Sequence, residues 1–221
     1  MRAVDRHTGK FTPRLNAGRA GLRGAILPLL WLAVVAVGAH FFLIYETTPG
    51  ADGVPPARWP AASSIRHNPD GFTLLLFVHP RCPCTHATLD ELAEVLTRHP
   101  RGLTAHVIFC KPPGAPDAWE RTELWERATA LPSVRIWRDE DGAESRRFHA
   151  QTSGQALLYD ADCRLLFRGG ITPIRGQAGP NEGRNAILDL LRHGIPERMT
   201  TPVFGCPLFD SPCPTEGLDE S

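Results

Sequence analysis

The chain has 221 residues, 42% of them hydrophobic, and its 24 basic residues balance 24 acidic ones. A chain of this length holds one core of ordinary domain size together with extensions. The formal charge of +0 and the lack of a patch that interleaves arginine with aromatic residues argue against a nucleic-acid ligand and against strongly acidic partners.

An apolar segment near the N-terminus predicts a membrane anchor. Residues 25–45 carry no ionised side chain and, at ~1.5 Å per residue, are long enough to cross a bilayer. Residues 1–24 form a basic tail with Asp5 as the single acidic residue, so the positive-inside rule places this tail in the cytoplasm. A cleavable signal peptide is the alternative, but apolar chain continues beyond Gly38 and Ala39, which favours an uncleaved transmembrane helix.

Two irregular segments flank the central part of the chain. Residues 46–67 are rich in Pro, Gly and Ala without sustained periodicity, which predicts a linker. Residues 196–221 form an extension whose prolines exclude a regular helix. Within it, residues 203–209 read Val-Phe-Gly-Cys-Pro-Leu-Phe and are too apolar for a solvated tail. We therefore expect residues 203–209 to pack on the domain, near the active site.

Two cysteines stand where a strand pattern gives way to a helical one. Residues 73–78 are an apolar run, Cys82 and Cys84 follow it, and helical periodicity begins after Thr85, the predicted N-cap. A helix N-terminus stabilises a thiolate and lowers the pKa of a cysteine, so Cys82 is the predicted nucleophile. The next apolar run, residues 103–109, predicts a buried strand and completes a βαβ unit.

This arrangement resembles the thioredoxin-like superfamily, in particular its membrane-anchored extracytoplasmic thiol-disulfide oxidoreductases. On the family pattern Phe-Trp-Ala-x-Trp-Cys-Gly-Pro-Cys, Phe77 falls on the Phe and Cys82 on the first, nucleophilic cysteine. Later segments are similar to the family's remaining strands, its β-hairpin and its closing helix, which falls near residues 181–193, so that the resemblance covers residues 68–195. It implies an α/β, thioredoxin-like fold, a central mixed sheet flanked by helices, preceded by one transmembrane helix.

The motif departs from the family pattern at two places. Cys84 sits where the family has proline and Thr85 takes the slot of the second, resolving cysteine, so the motif is CxC rather than CxxC. Ser153 stands in the slot of the family's cis-proline, and Thr152 and Ser153 are expected to present their backbone to the substrate. A bacterial group labelled RedB has a similar Cys-Pro-Cys turn, Thr-Ser-Gly segment and Val-Phe-Gly-Cys-Pro-Leu tail, and the chain resembles it more closely.

The resemblance implies thiol-disulfide exchange on a protein thiol or disulfide outside the cytoplasm. Cys82 would attack, Cys84 would be the candidate resolving thiol, and Cys206 is the less favoured alternative to Cys84. Because a disulfide across one intervening residue closes a small, strained ring, we expect a centre more oxidising than thioredoxin. The resemblance further implies a single-pass protein of the bacterial inner membrane, with its N-terminus cytoplasmic and its C-terminal domain periplasmic, and no cofactor.

The remaining cysteines have competing interpretations. Cys206 and Cys213 favour a local structural disulfide, and the alternative is a second dithiol that relays electrons to Cys82. Cys110 ends a predicted strand, where it would be either close to the site or a small buried hydrophobe. Cys163 falls in a hairpin turn where glycine would be natural, and we interpret it as a surface residue.

A metal-binding function is the alternative to redox exchange. His79 and His86 flank Cys82 and Cys84, and together these four side chains offer the sulfur and imidazole ligands that suit Cu(I) or Zn. The alternative is therefore a copper or other soft-metal binding or assembly protein on the same scaffold; a scaffold without turnover is a third hypothesis. A CxC pair with distant histidines is not a structural zinc spacing, so we interpret His79, Thr85 and His86 as modulators of the thiol site.

Overall fold

The computed structural model describes residues 17–99, 101–194 and 200–209, and it separates into two units that divide between Tyr45 and Glu46. The first unit is built on helix α1, Ala17–Thr47. Within α1, the segment Ile26–Thr47 is long and apolar enough to cross a membrane. By length and composition this segment fits either an anchor or a signal sequence, and it coincides closely with the span that the sequence predicts.

The second unit contains a five-stranded mixed sheet. Its strands are β1 (Phe72–Val78), β2 (Leu103–Lys111), β3 (Val134–Glu140), β4 (Gln155–Tyr159) and β5 (Leu165–Gly169), in the order β3-β2-β1-β4-β5. Strands β1, β2 and β3 are parallel, whereas β4 runs antiparallel to β1 and β5 antiparallel to β4. The central strand β1 is therefore the one that leads into the cysteine motif.

In the described part of the second unit, four helices accompany the sheet: α2 (Thr85–Arg98), α3 (Glu123–Thr129), α4 (Ala143–Arg147) and α5 (Glu182–His193). Helix α5 begins where the sequence predicts, because the Asn181 side chain caps it by accepting a hydrogen bond from Arg184 N at 2.7 Å. Helix α2 differs from the prediction by one residue. Thr85 is its first residue rather than its N-cap, which is Cys84, and the Thr85 hydroxyl makes a different contact described below.

The side chains of β1 alternate between two hydrophobic cores, as the period of a strand requires. Leu74, Leu76 and Val78 face a core that includes buried residues of α2, α3 and α5. Leu75 and Phe77 face a second core on the other side of the sheet. Helices thus cover a mixed sheet with a central parallel βαβ unit, which is the thioredoxin-like fold, and the predicted fold class is confirmed.

Residues 46–67 lie against the domain, although the sequence predicts a linker here. The Trp59 ring packs edge-on against Phe148 and Tyr159, with centroids 5.1 and 5.2 Å apart. The Tyr159 hydroxyl donates a hydrogen bond to Pro56 O at 2.9 Å, and Ile65 is 2% exposed. The compact unit therefore begins at Glu46 rather than at residue 68, because the apolar side chains of this segment complete the second core.

Candidate functional site

The cysteine motif forms a tight turn between β1 and α2. Cys82 N donates to His79 O at 3.0 Å, and Thr85 N donates to Cys82 O at 3.1 Å. These bonds hold Cys82 immediately before the first turn of α2, as the sequence predicts. The side chains of this turn are enclosed, since Cys82 is 1% and Cys84 7% exposed.

The Cys82 sulfur is surrounded by hydrogen-bond donors. It accepts first from the thiol of Cys206, then from the backbone N–H groups of Cys206 and Cys84, and from the hydroxyl of Ser153. These donors outweigh the cost of burying a charge and lower the pKa of Cys82 from 9.0 to about 4. The surroundings of Cys82 therefore favour the thiolate at neutral pH.

Ser153 connects the cysteine turn to the loop that precedes β4. Its Oγ accepts from His79 N at 2.9 Å and lies 3.0 Å from Oγ1 of Thr85. A hydroxyl offers one hydrogen and two lone pairs, so we assign the Ser153 hydrogen to the Cys82 sulfur and both other groups as donors to Ser153. Thr85 and Ser153, which take the slots of the resolving cysteine and of the cis-proline, are thus linked to each other and to the Cys82 sulfur.

The C-terminal strap, which we define as residues 200–209, lies along this loop. Ser153 N donates to Cys206 O at 2.8 Å, Leu208 N donates to Gln151 O at 2.8 Å, and Thr152 forms an antiparallel bridge with Pro207. A proline at position 153 would lack the N–H that makes the first of these bonds. The strap therefore pairs with the same backbone that the sequence analysis assigns to substrate positioning.

Contacts on both sides of Cys206 fix the strap. Val203 O accepts from Gly50 N at 2.8 Å, and Leu208 O accepts from the Cys110 thiol at 3.6 Å. Val203 and Leu208 are almost fully buried, and a Cβ on Gly205 would overlap the carbonyl oxygen of Ser153. The prediction that residues 203–209 pack on the domain near the cysteine turn is confirmed.

Arg175 is a site residue that the sequence analysis does not identify. Its guanidinium donates to Gly205 O and to Thr48 O, the latter at 3.1 Å. It also hydrogen-bonds Cys84 and lies near Cys206, and its charge lowers the pKa of both thiols. Arg175 lies in the irregular segment between β5 and α5, where no periodicity or motif distinguishes it from other surface arginines.

Cys84 and Cys206 remain protonated beside the Cys82 thiolate. Burial is the main cause that raises the pKa of Cys84, with the neighbouring Cys82 charge second. The pKa of Cys206 is raised chiefly because its proton is shared with the Cys82 sulfur. The site thus pairs one thiolate with two thiols, which is the state that a dithiol requires before it is oxidised.

The two histidines flanking the cysteines make contacts of their own. His79 Nδ1 accepts from Arg81 N at 3.2 Å, and the His79 ring meets Trp119 edge-on. His86 Nδ1 lies 3.3 Å from an Arg127 guanidinium nitrogen. Within residues 17–99, 101–194 and 200–209, no group of three or more His, Cys, Asp or Glu side chains is arranged to hold a metal ion.

Cys110 lies at the end of β2, and Cys163 lies in the β4–β5 turn. Cys110 is buried beneath Leu208 of the strap, and burial raises its pKa to about 12. Cys163 has φ +64° in the β4–β5 turn, a left-handed conformation that favours glycine. Cys213 is outside the described residues, so its disulfide with Cys206 stays a prediction.

A surface opening beside Cys82 gives access to the turn. It has a volume of about 270 Å³, and its lining includes Arg81, Cys82 and Pro83 of the turn together with His86 of α2 and Thr122 and Leu124 near α3. The Arg81 guanidinium lies over the Trp119 ring, 4.7 Å from its centroid. At the edge of the opening, the Arg81 cation therefore packs on an aromatic ring.

No protein-family model matches the chain, and no curated protein matches it. Among solved structures, an uncharacterized conserved protein from Geobacillus kaustophilus is similar over 65% of this chain and 79% of its own, with 21% identity and a TM-score of 0.52. A hypothetical protein from Sinorhizobium meliloti 1021 is similar over 74% of this chain and 94% of its own, with 20% identity and a TM-score of 0.51. At these identities the likeness concerns the fold.

A secreted Mycobacterium tuberculosis disulfide oxidoreductase is also similar, over 55% of this chain and 81% of its own, with 16% identity and a TM-score of 0.39.

Proposed function

We propose that this protein is a membrane-anchored thiol-disulfide oxidoreductase that acts on protein cysteines outside the cytoplasm through Cys82. The observation that carries the proposal is the hydrogen-bonding of the Cys82 sulfur, which holds a thiolate between two further thiols. A thiolate is the nucleophile of disulfide exchange, and a second thiol within reach allows a mixed disulfide to be resolved.

The low pKa of Cys82 favours oxidation of the substrate over its reduction. Donors that stabilise the thiolate stabilise the reduced protein, and a stabilised reduced form makes the corresponding disulfide a stronger oxidant. We therefore expect the protein to remove electrons from protein dithiols. A strained CxC disulfide would also be a strong oxidant. Strain is thus a separate cause that favours the same direction.

Helix α1 supports the anchored location. We propose that it stays attached and spans the bacterial inner membrane once, with the basic N-terminal tail in the cytoplasm and the thioredoxin-like domain in the periplasm. We further propose that the chain is of the RedB-like type, on the resemblance of its Cys-Pro-Cys turn and of its C-terminal tail.

The experiment is a redox titration of the full-length chain in detergent. The protein is equilibrated in thiol buffers, alkylated and read by intact mass. A reversible two-electron couple between about −120 and −270 mV, the span of known exchange proteins, is expected. Cys82→Ser should abolish the couple. Cys163→Ser, a change at the far end of the β4–β5 hairpin, is the matched control and should retain it.

The metal hypothesis makes a different prediction in the same experiment. If Cys82 and Cys84 served only as copper ligands, no ratio of oxidised to reduced thiol in the buffer would give a disulfide involving Cys82. Stoichiometric Cu(I) would then protect both thiols from alkylation. That result would replace the redox proposal.

A further inference from the structure

We propose that Cys206 is the redox partner of Cys82: the oxidised protein carries a Cys82–Cys206 disulfide, and a substrate thiolate attacks that disulfide at Cys206. This inference rests on the proposed thiol-disulfide function and identifies the second catalytic cysteine on the strap rather than in the CxC turn.

The backbone pairing of the strap sets the position of Cys206. Cys206 O accepts a hydrogen bond from Ser153 N, and Leu208 N donates one to Gln151 O. Between them, Pro207 forms an antiparallel β-bridge with Thr152. Pairing of this kind fixes the register of two extended segments to the residue. Because Gly205 has no room for a side chain against Ser153, the strap approaches the loop closely enough for the Cys206 thiol and N–H to reach the Cys82 sulfur.

The CxC turn suits a Cys82–Cys84 disulfide less well. Cys84 is the N-cap of α2 and has helical backbone angles, φ −64° and ψ −22°. Its carbonyl already accepts from Thr88 N at 3.4 Å. A bond across one intervening residue would have to distort this turn, whereas Cys206 reaches Cys82 from a separate segment.

Exposure differs between the two partners of the proposed disulfide. Cys82 is 1% exposed, whereas Cys206 is partly exposed and its neighbour Pro207 is exposed. An incoming protein thiol therefore meets Cys206 first. Attack there also expels Cys82, and a thiol that is stable as thiolate is the faster leaving group.

The proposed reaction oxidises a protein dithiol in two exchange steps. A substrate thiolate attacks Cys206 Sγ, a substrate–Cys206 disulfide forms, and the Cys82–Cys206 bond breaks with its electron pair passing to Cys82 as thiolate. The second substrate thiolate then attacks the substrate sulfur of this mixed disulfide. A disulfide forms within the substrate, and Cys206 leaves as a thiolate and takes up a proton. The substrate loses two electrons and the protein gains two. A second protein that carries a more oxidising disulfide accepts these electrons and restores the oxidised state.

Peptide mapping tests the pairing directly, because trypsin places the cysteines of the CxC turn and those of the C-terminal segment on different peptides. Cys82 and Cys84 fall together on residues 82–98, whereas Cys206 and Cys213 fall on residues 199–221. The full-length protein in detergent is oxidised with oxidised glutathione, alkylated and digested. The expected product is a cross-link between these two peptides. It should persist in Cys84→Ala and in Cys213→Ala and be lost in Cys206→Ala, with Cys163→Ser as the control that behaves as wild type.

Two mapping results would overturn the inference. A disulfide inside residues 82–98 in both wild type and Cys206→Ala would assign the partner role to Cys84. A cross-link that disappears in Cys213→Ala would assign it to Cys213. Both results leave the proposed function intact, whereas the absence of any disulfide involving Cys82 at every poise would remove the proposed function as well.

Gly205→Ala tests the seating of the strap without changing any cysteine. The added Cβ meets the Ser153 carbonyl, so the cross-linked fraction at a fixed glutathione ratio should fall at least tenfold. Thermal unfolding of the same sample shows whether the domain is still folded. An undiminished cross-link in a folded Gly205→Ala protein would contradict the role of the strap.

Discussion

Cys82 shows how a buried sulfur is kept ionised by groups from distant parts of the chain. The N–H of Cys84 comes from the start of α2, the hydroxyl of Ser153 from the loop before β4, and two donors from Cys206 on the strap. Each hydrogen bond to a charged acceptor contributes about 1.5–3 kcal/mol, so together they offset the desolvation of the thiolate. The reactivity of the residue thus depends on three segments being in place at once.

A titration of the thiolate absorbance at 240 nm measures this effect. The difference between wild type and Cys82→Ser should show one group with a midpoint near pH 4, in accord with a pKa lowered from 9.0 to about 4. Ser153→Ala removes one donor and should raise the midpoint by about 1 pH unit. A Cys82 midpoint near 9 in the wild-type protein would contradict the thiolate assignment.

His106 gives the fold a dependence on pH that is separate from the thiol site. This β2 residue is 3% exposed, and burial, aided by the charge of Arg135, lowers its pKa from 6.5 to about 4. The folded state therefore prefers the neutral imidazole, and protonation favours the unfolded chain. The stabilisation is complete above pH 6.5 and is lost as the pH falls from 6.5 towards 4.

The prediction for His106 is a loss of about 2–3 kcal/mol in unfolding free energy between pH 7.5 and pH 4.5. Urea unfolding of residues 46–221 at the two pH values measures it. His106→Leu removes the titrating group, so its loss over the same interval should be smaller by that amount. Equal losses in the two proteins would show that His106 is not the acid-sensitive group.

At the scale of elements, a buried ion pair joins α2 to α5. Arg184 Nη1 donates to Glu91 Oε2 at 2.6 Å, and Glu91 Oε1 accepts from Gly179 N at 2.5 Å. Both side chains are buried, at 2% exposure for Glu91 and 8% for Arg184. The pair therefore ties the helix that begins at the cysteines to the segment that carries Arg175.

Glu91→Gln should destabilise the domain by about 3–5 kcal/mol, because it leaves the Arg184 charge buried without its partner. Chemical unfolding of residues 46–221 measures the change. The double variant Glu91→Leu with Arg184→Met removes both charges and should recover most of the lost stability. If the double variant were as unstable as the single one, the loss would come from packing and not from the unpaired charge.

Elements that rest on local pattern could be predicted from the sequence, and contacts between distant segments could not. Strands β1 and β2 are apolar runs, and α5 follows a capping asparagine, so their bounds agree with prediction to within one or two residues. Helix α3 begins only at Glu123, because the residues before it form turns, with Ala118 at φ +63°.

The site could likewise be predicted where it rests on a local motif, but not where it depends on contacts between distant segments. Cys82 and Cys84 stand in a local motif, and Ser153 could be assigned by its slot in the family pattern. The pairing of the strap with residues 151–153 joins positions about 55 residues apart in the chain and leaves no periodic signal. The place of Arg175 depends on that pairing and could not be assigned from the sequence. For Cys206 the sequence left two alternatives open, a local disulfide and a role towards Cys82.

At the scale of the whole molecule, the segment that follows α1 and the strap meet at the loop that precedes β4. Gly50 N donates to Val203 O of the strap, and the Thr152 hydroxyl donates to Ala51 O at 2.8 Å. Arg175 binds the carbonyl oxygens of Thr48 and Gly205. The segment that follows α1 therefore supports the strap, so deletions that remove it should loosen the site as well.

The anchoring of α1 is tested on the mature protein. Intact mass from the membrane fraction should include residues 25–45, and alkaline carbonate washing should leave the protein in the pellet, because a helix with the length and composition of Ile26–Thr47 inserts into the hydrocarbon region. A chain that starts at Glu46 should be released into the supernatant. A mature mass that lacks the first 39 residues would identify the segment as a cleaved signal peptide.

The seating of the strap also determines which thiols can compete at the site. A cysteine tethered to the same chain and held in register stands beside Cys82 at an effective concentration on the order of millimolar or higher. Free small-molecule thiols must exceed that concentration to hold Cys82 in a mixed disulfide, so glutathione and free cysteine would be displaced quickly. A protein dithiol escapes this competition because its second thiol is itself tethered to the sulfur that binds Cys206, and this difference would insulate the centre from the bulk thiol pool.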